Sequence, residues 1–429
     1  MDASSSTIRV AILGGGLTGA ALLRGLLRYP QIAADIYDSR PILKEEGLGL
    51  VLEQNTENIL RAIDPSLDNC LDRAGAVRSF TEIRVAAGPD SGRKVDAKGF
   101  GGPIKRTVGR QAFLSELIRG LPPRLVHPNT RLTTITELPD GGGLILAFAD
   151  GSQKKYDVVV STDGVHMIGR QHVLGADDPA LKPEHTRVWG LPIKVPLSTA
   201  QSAMGEDFVD PKNPSQLVWV GDGTMMQHNL QDDGKEVHIS TYIRQDDFAD
   251  DNNTWARLFT PEEFSDSFAK NELHACKGMV NLIRNMYTVQ ITGISQMQHK
   301  PAHSYVTKTA CLIGDAAHSM HLFPGASVVL GLEEALVLST LLGRIPSRET
   351  IPAALKAFDH VCRPRAEQAM QHSSECGLLL TGKAPGIGLD ADLLAQHLKG
   401  KWDFLVNVDI EALQSAAVNT MDQMLTSGW

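Results

Sequence analysis

Ile8 to Leu13 is a short, almost unbroken apolar run, the pattern of a strand buried on both faces of a parallel sheet. A glycine-rich turn follows at once. Ala20 to Leu27 then sets alanines and leucines against Arg24 and Arg28, which predicts a helix, and Ala33 to Tyr37 predicts a second strand ending at Asp38. Strand, turn, helix and strand make one βαβ unit.

Further on, Asn55 to Ile63 and Arg110 to Gly120 have amphipathic helical patterns, and Ile83 to Val85 suggests a strand between them. Arg131 to Glu137 and Leu144 to Phe148 flank Asp140-Gly141-Gly142-Gly143, a hairpin signal. Val158 to Ser161 has the pattern of another buried parallel strand. From about 181 to 300 the chain changes to longer alternating segments, Val188 to Val195, Gln216 to Val220 and Glu236 to Ile243, with polar loops such as Gln245 to Asn253. That alternation predicts an antiparallel sheet with one open face. Parallel-strand character returns at Ala310 to Ile313, before two helical stretches, Val328 to Leu342 and Ile351 to Leu380, and a helical tail.

Composition narrows the class. The 429 residues are 42% hydrophobic and 21% charged, which is ordinary for a globular protein. A formal charge of −9 without a basic run argues against nucleic acid as a partner. Cys70, Cys276, Cys311, Cys362 and Cys376 are scattered, so neither a disulfide framework nor a metal site is expected, and a cytoplasmic location fits. The polar start, Met1 to Thr7, and the shortness of the first apolar run predict no membrane span. Monomer and homodimer both remain open.

The chemistry concentrates at three places. In Gly14-Gly15-Gly16-Leu17-Thr18-Gly19, Gly14 serves a tight turn, Gly16 a bare approach for pyrophosphate, and Gly19 close packing of helix on strand. Asp38 follows about twenty residues on, where a carboxylate binds a ribose hydroxyl. The second place is Asp163-Gly164 after Val158 to Ser161, in a run ending at Arg170, and the third is Gly314-Asp315-Ala316-Ala317-His318 after Ala310 to Ile313.

In this order and spacing the motifs resemble the FAD-dependent aromatic hydroxylases, the group A flavoprotein monooxygenases of fungal salicylate hydroxylase-like type. The resemblance runs through Arg110 in Val108-Gly109-Arg110-Gln111 and through Arg363-Pro364-Arg365 to the tail. It implies an α/β fold: a Rossmann-like FAD-binding domain (1–180 and 301–380), an inserted antiparallel-sheet substrate domain (181–300) and a helical C-terminus (381–429). It also implies that the Gly14 turn holds the pyrophosphate, Asp38 the adenosine ribose and Asp315 the ribitol, with Arg110, Asp163 and Gly164 close by. NAD(P)H would act as a transient reductant and molecular oxygen as co-substrate, through a flavin C4a-hydroperoxide. The substrate would be an aromatic, polyketide-like or indole small molecule, hydroxylated or epoxidised.

The sequence departs from that family after His318, where its usual proline, glutamine and second glycine are Leu322, Ala326 and Ser327, around Gly325. Gly325 and Ala326 are still expected to approach the flavin edge. In the substrate domain a family Tyr-Arg-Gly aligns with Val188-Trp189-Gly190, which puts Trp189, or Arg187 nearby, over the flavin. His321 and His228 are candidate bases near neutral pH, weighed against ordinary buried histidines; Tyr242 fits a sheet residue better. Asp246-Asp247 and Asp250-Asp251 fit solvated loop charges, since they lack the glycine and terminal glutamate of a calcium loop. The altered loop leaves two alternatives: a monooxygenase-derived enzyme of non-redox cyclisation or isomerisation, and a catalytically dead FAD-binding regulator.

Overall fold

The computed structural model describes residues 7–44, 49–97, 104–139, 142–165, 167–248, 254–321 and 326–427. Ile8–Leu13 is a strand at the centre of a five-stranded parallel sheet, ordered Ala310–Leu312, Val158–Ser161, Ile8–Leu13, Ile32–Tyr37, Val126–His127. Both faces of the sheet are covered, as its unbroken apolar runs require. Val10 and Ile12 pack into the core with helices Leu17–Leu26 and Ala326–Leu342. Ala11, Leu13, Tyr37 and Val159 pack on Leu144, Leu146, Phe148 and Tyr156 of a three-stranded antiparallel sheet.

That small sheet contains the predicted hairpin, with Leu132–Glu137 pairing antiparallel to Leu144–Phe148; Asp140 and Gly141 lie outside the described residues. The C-terminal helices Ile351–Leu379, Ala391–Leu398 and Ile410–Ser427 close the nucleotide half, so the fold is α/β with a helical C-terminus as expected. Among the described residues no helix is long and apolar enough to cross a membrane. All five cysteines are buried free thiols.

The large sheet has ten strands and is wider than the interval 181–300. Its path runs Ala256–Phe259, Ile291–Gln298, Glu184–Pro196, Glu236–Arg244, Thr224–Gln231, Ser215–Val220, then Val77–Val85, Lys105–Val108 and Leu50–Glu53, and the tenth strand, Lys94–Val95, pairs with Val77–Val85 off that path. Val77–Val85, Lys105–Val108, Leu50–Glu53 and Lys94–Val95 come from the first third of the chain, and Val77–Val85 joins in parallel with Ser215–Val220. The short strand expected at Ile83 to Val85 is therefore the end of a nine-residue one.

The alternating pattern here does not mark an open face. One side packs its apolar residues against helices Leu197–Met204 and His274–Met286. The other turns toward the nucleotide half and is buried over its middle, where Gln216, Asn229, Gln231, His238, Ser240 and Tyr242 lie. Polar residues alternate because that buried face is polar, and at the sheet edge Leu258 and Ile294 are exposed.

Candidate cofactor and substrate site

A cleft of about 570 Å³ opens at the carboxyl ends of the parallel strands, and Gly14, Gly16, Asp38, Arg110, Asp163, Gly164 and Asp315 all line it. Its size and place suit a large ligand bound where parallel strands end. The turn at its floor tolerates nothing larger than glycine at two points. Gly14 has φ 113° and a Cβ there would lie 2.5 Å from the Thr162 carbonyl oxygen, while at Gly19 a Cβ would lie 2.1 Å from the Gly14 carbonyl oxygen. Gly19 thus serves packing and does not line the cleft. Thr162 fastens the turn by donating its hydroxyl to the Gly14 carbonyl at 2.7 Å.

Asp38 sits where the second strand ends. Its Oδ2 accepts the Gly15 amide at 2.8 Å, and Arg40 donates its backbone amide and Nε to Oδ1 at 2.8 and 2.9 Å and Nη2 to Oδ2 at 2.7 Å. Burial works to raise this carboxyl, and the bonds from Arg40 and Gly15 outweigh it, so Asp38 stays below the usual carboxylate range. Asp163 is the opposite case. Burial, reinforced by the charge of Asp38, pushes it up to about 7, and its Oδ1 has no hydrogen-bond partner among the described residues.

The third motif is clamped from below. Gly314, at φ 62°, donates its amide to Glu334 Oε2 at 2.7 Å, and His318 Nε2 meets Glu334 Oε1 at 2.8 Å. Arg170 donates Nη1 to the carbonyls of Ala316 and Ala317 at 2.9 and 2.7 Å. Burial opposes a charge on His318, but Glu334 more than compensates, and the imidazole is held above its ordinary value. Asp315 at the cleft accepts a hydrogen bond from the Ser327 hydroxyl.

Among the described residues no cluster of histidine, cysteine, aspartate and glutamate could hold a metal ion. No protein-family model matches the chain. Over 425 residues it is 29% identical to the 6-methylsalicylate 1-monooxygenase of Aspergillus terreus, covering 97% of this chain and 92% of that one. The salicylate hydroxylase of Sarocladium schorii is 28% identical over 371 residues, 82% of this chain and 74% of that one. A salicylate hydroxylase solved as a substrate complex superposes with a TM-score of 0.81 at 25% identity, covering 96% of this chain and 98% of the other. The chain is a homologue of the salicylate hydroxylases and FAD-dependent monooxygenases.

In this salicylate hydroxylase-like chain the candidates for work on substrate fare differently from those for cofactor. Trp189 is fully buried on the sheet face that looks away from the nucleotide half, its ring 4.5 Å from His185 and 5.1 Å from Phe248, so the expectation that it lies over a flavin is corrected. Strand alternation decides this, since Gly190 and not Trp189 falls on the inner face. Arg187 is exposed at φ 63°, in the register shift between His185 and Trp189, with Nη1 on the Asp246 carbonyl at 2.9 Å. His228 is on the outer face too. Its Nε2 meets the Phe208 carbonyl at 2.9 Å, and burial takes it down to about 4.

His321 is also buried and, with burial first and Arg244 second, is lowered to about 4, which leaves it neutral and weakly basic at neutral pH. Its ring packs at Gly377, where a Cβ would be 3.2 Å from Cε1, and it does not line the cleft. Gly325 lies outside the described residues. Ala326 opens the helix Ala326–Leu342 as a buried residue, and its neighbours Ser327 and Val328 line the cleft instead. Arg40 and Glu334 were absent from the expected site, and Thr162 and Arg170, which fall in the run around Asp163, carried no expected role. An aspartate and arginine two positions apart at a strand end was the readable signal for Arg40; Glu334 gave none, because its partners are remote in sequence.

Proposed function

We propose that the chain is an FAD- and NAD(P)H-dependent monooxygenase that inserts an oxygen atom into a small aromatic, polyketide-like or indole-type molecule. The observation that carries this reading is the cleft. Its glycine turn, ionised Asp38 at one end and Asp315 at the other match the spread of a dinucleotide along the carboxyl edge of a parallel sheet. FAD, when bound, supplies the chemistry that accepts a hydride and activates oxygen.

The chain's own residues hold and orient. The Gly14 turn and the start of helix Leu17–Leu26 offer bare backbone to the pyrophosphate, where helix amides and dipole favour an anion. Asp38, kept charged by Arg40, accepts from ribose hydroxyls. Asp163, pushed up to about 7 by burial, carries its proton below that pH and would then add little repulsion toward an anion held in the cleft. Glu334 and Arg170 fix the turn that carries Asp315. The inner face of the large sheet and the nucleotide half exclude water from the substrate between them. Five buried thiols support a reducing, cytoplasmic setting.

Purified protein with FAD should be yellow and should oxidise NADH or NADPH faster when its substrate is added, with labelled oxygen appearing in the product. A chain that stays colourless with excess FAD sinks the reading. One observation favours the non-redox alternative: the Ser327 hydroxyl already engages the carboxylate expected to hold the ribitol. Product formation from substrate without NAD(P)H or oxygen would establish that alternative.

A further inference from the structure

One helix touches both of the turns that frame the cleft. In Ala326–Leu342, the residues Ser327, Gly331 and Glu334 follow helical spacing and so form one stripe on its surface. Glu334, at the far end of the stripe, holds the Gly314 amide and His318. Gly331, in the middle, makes room for Thr18: a Cβ there would lie 2.5 Å from Thr18 Oγ1, and one at Gly314 would lie 3.0 Å from the same atom. Thr18 lines the cleft at the start of helix Leu17–Leu26, so its hydroxyl sits where the glycine turn, the Asp315 turn and the long helix meet. Ser327, at the near end, donates its hydroxyl to Asp315 Oδ1.

The Asp315 side chain is exposed in the cleft, and among the described residues the Ser327 hydroxyl is the one hydrogen bond it receives. Glu334 sets the backbone on either side of Asp315 but leaves its carboxylate free to change rotamer. The bond from Ser327 removes that freedom, and a group ordered before its ligand arrives binds at lower entropic cost. It occupies one lone pair of one oxygen, so the carboxylate can still accept from a ligand hydroxyl. Because Ser327 and Gly331 share the stripe, the carboxylate is held at a set offset from Thr18, and so from the turn expected to hold pyrophosphate. Where the family resemblance leads one to expect glycine, this chain has the hydroxyl that makes the tie.

We infer that Ser327 is a positioning residue for the flavin half of the cofactor: it fixes the Asp315 carboxylate relative to the glycine turn, so that both halves of one dinucleotide are met at once. The inference rests on the FAD reading and deepens it. It gives the Ser327–Asp315 bond the opposite sense from the non-redox alternative, in which the serine withholds the carboxylate from the cofactor.

The test titrates the full chain, freed of bound flavin, with FAD by fluorescence and with ADP by calorimetry, since ADP carries only the adenosine and pyrophosphate half. Ser327→Ala should weaken FAD binding about three- to tenfold, the size of one hydrogen bond, while ADP affinity stays at the parent value. Ser327→Thr, which keeps the hydroxyl, should bind FAD like the parent. In an Asp315→Ala background the alanine substitution at Ser327 should have no further effect, because the carboxylate it positions is gone. FAD affinity unchanged or tightened by Ser327→Ala, an equal loss for ADP, a threonine variant as weak as the alanine one, or a full alanine effect without Asp315 overturns the inference. A parent chain that takes up no FAD sinks the cofactor reading, and the inference with it, and that failure is seen before any variant is made.

Discussion

Glu334 holds His318 and, with its other carboxylate oxygen, the Gly314 amide at the start of the same helical turn, at 2.8 and 2.7 Å. One buried side chain thus sets both ends of the segment that presents Asp315 to the cleft. Glu334→Ala leaves a buried imidazolium without its counter-ion and should cost about 3–5 kcal/mol of stability. Glu334→Gln keeps an acceptor for Gly314 and should cost less. Urea unfolding of both variants checks the order.

The same pair sets a pH dependence. His318 is raised in the folded chain, so its contribution is fully present below the unfolded histidine value and is lost as pH rises through the folded one. Unfolding free energy should therefore fall more with pH, above the unfolded histidine value, in the parent than in His318→Gln. Matching slopes in the two proteins would refute the ion pair.

Asp163 predicts a second linkage of opposite origin. Its carboxyl is pushed up to about 7 by burial, so between the ordinary carboxylate value and that point the folded state keeps a proton the unfolded state has released. Stability should decline over that interval. FAD should also bind more weakly above about pH 7, once the carboxylate is charged beside the phosphates, and Asp163→Asn should flatten that profile. Fluorescence titration of FAD at several pH values measures both.

Gly19→Ala places a methyl group 2.1 Å from a backbone oxygen, a contact that can only be relieved by moving strand and helix apart. The cost should be about 1–3 kcal/mol, with FAD content of the purified protein sharply reduced. Thermal unfolding and the absorbance ratio of flavin to protein report the two effects separately.

Trp189 should matter to folding and not to the cofactor. Trp189→Ala removes a fully buried ring from the outer core and should cost about 3–5 kcal/mol. In Trp189→Phe the flavin spectrum should be unchanged. A shifted spectrum would show that the indole senses the cofactor after all.

The nucleotide half was legible because its signals are local. Strand, glycine turn, helix and Asp38 occupy one short stretch, and the same patterns that bury Ile8–Leu13 on both sides identify it in sequence. The substrate half was legible only as strands. Trp189 and His228 were misplaced because alternation says which residues share a face and leaves open which face meets the cofactor. Arg187, also expected over the flavin, is instead exposed in the register shift that precedes Trp189. Arg170 ends the run that carries Asp163, yet it and Glu334 act on backbone atoms far along the chain, contacts that no local pattern announces.

The parallel pairing of Val77–Val85 with Ser215–Val220 has a consequence for how the chain reaches this state. The first strand is synthesised between two strands of the nucleotide half, yet its partner appears only after the whole βαβ core and the small antiparallel sheet have emerged. Ordering that pair closes a very long loop, the kind of non-local contact that slows folding. Until it forms, Ser215–Val220 presents an open, apolar edge able to recruit strands from other molecules. A fragment spanning 181–300 would keep that edge permanently, so aggregation, rather than a small stable domain, is what its expression should yield.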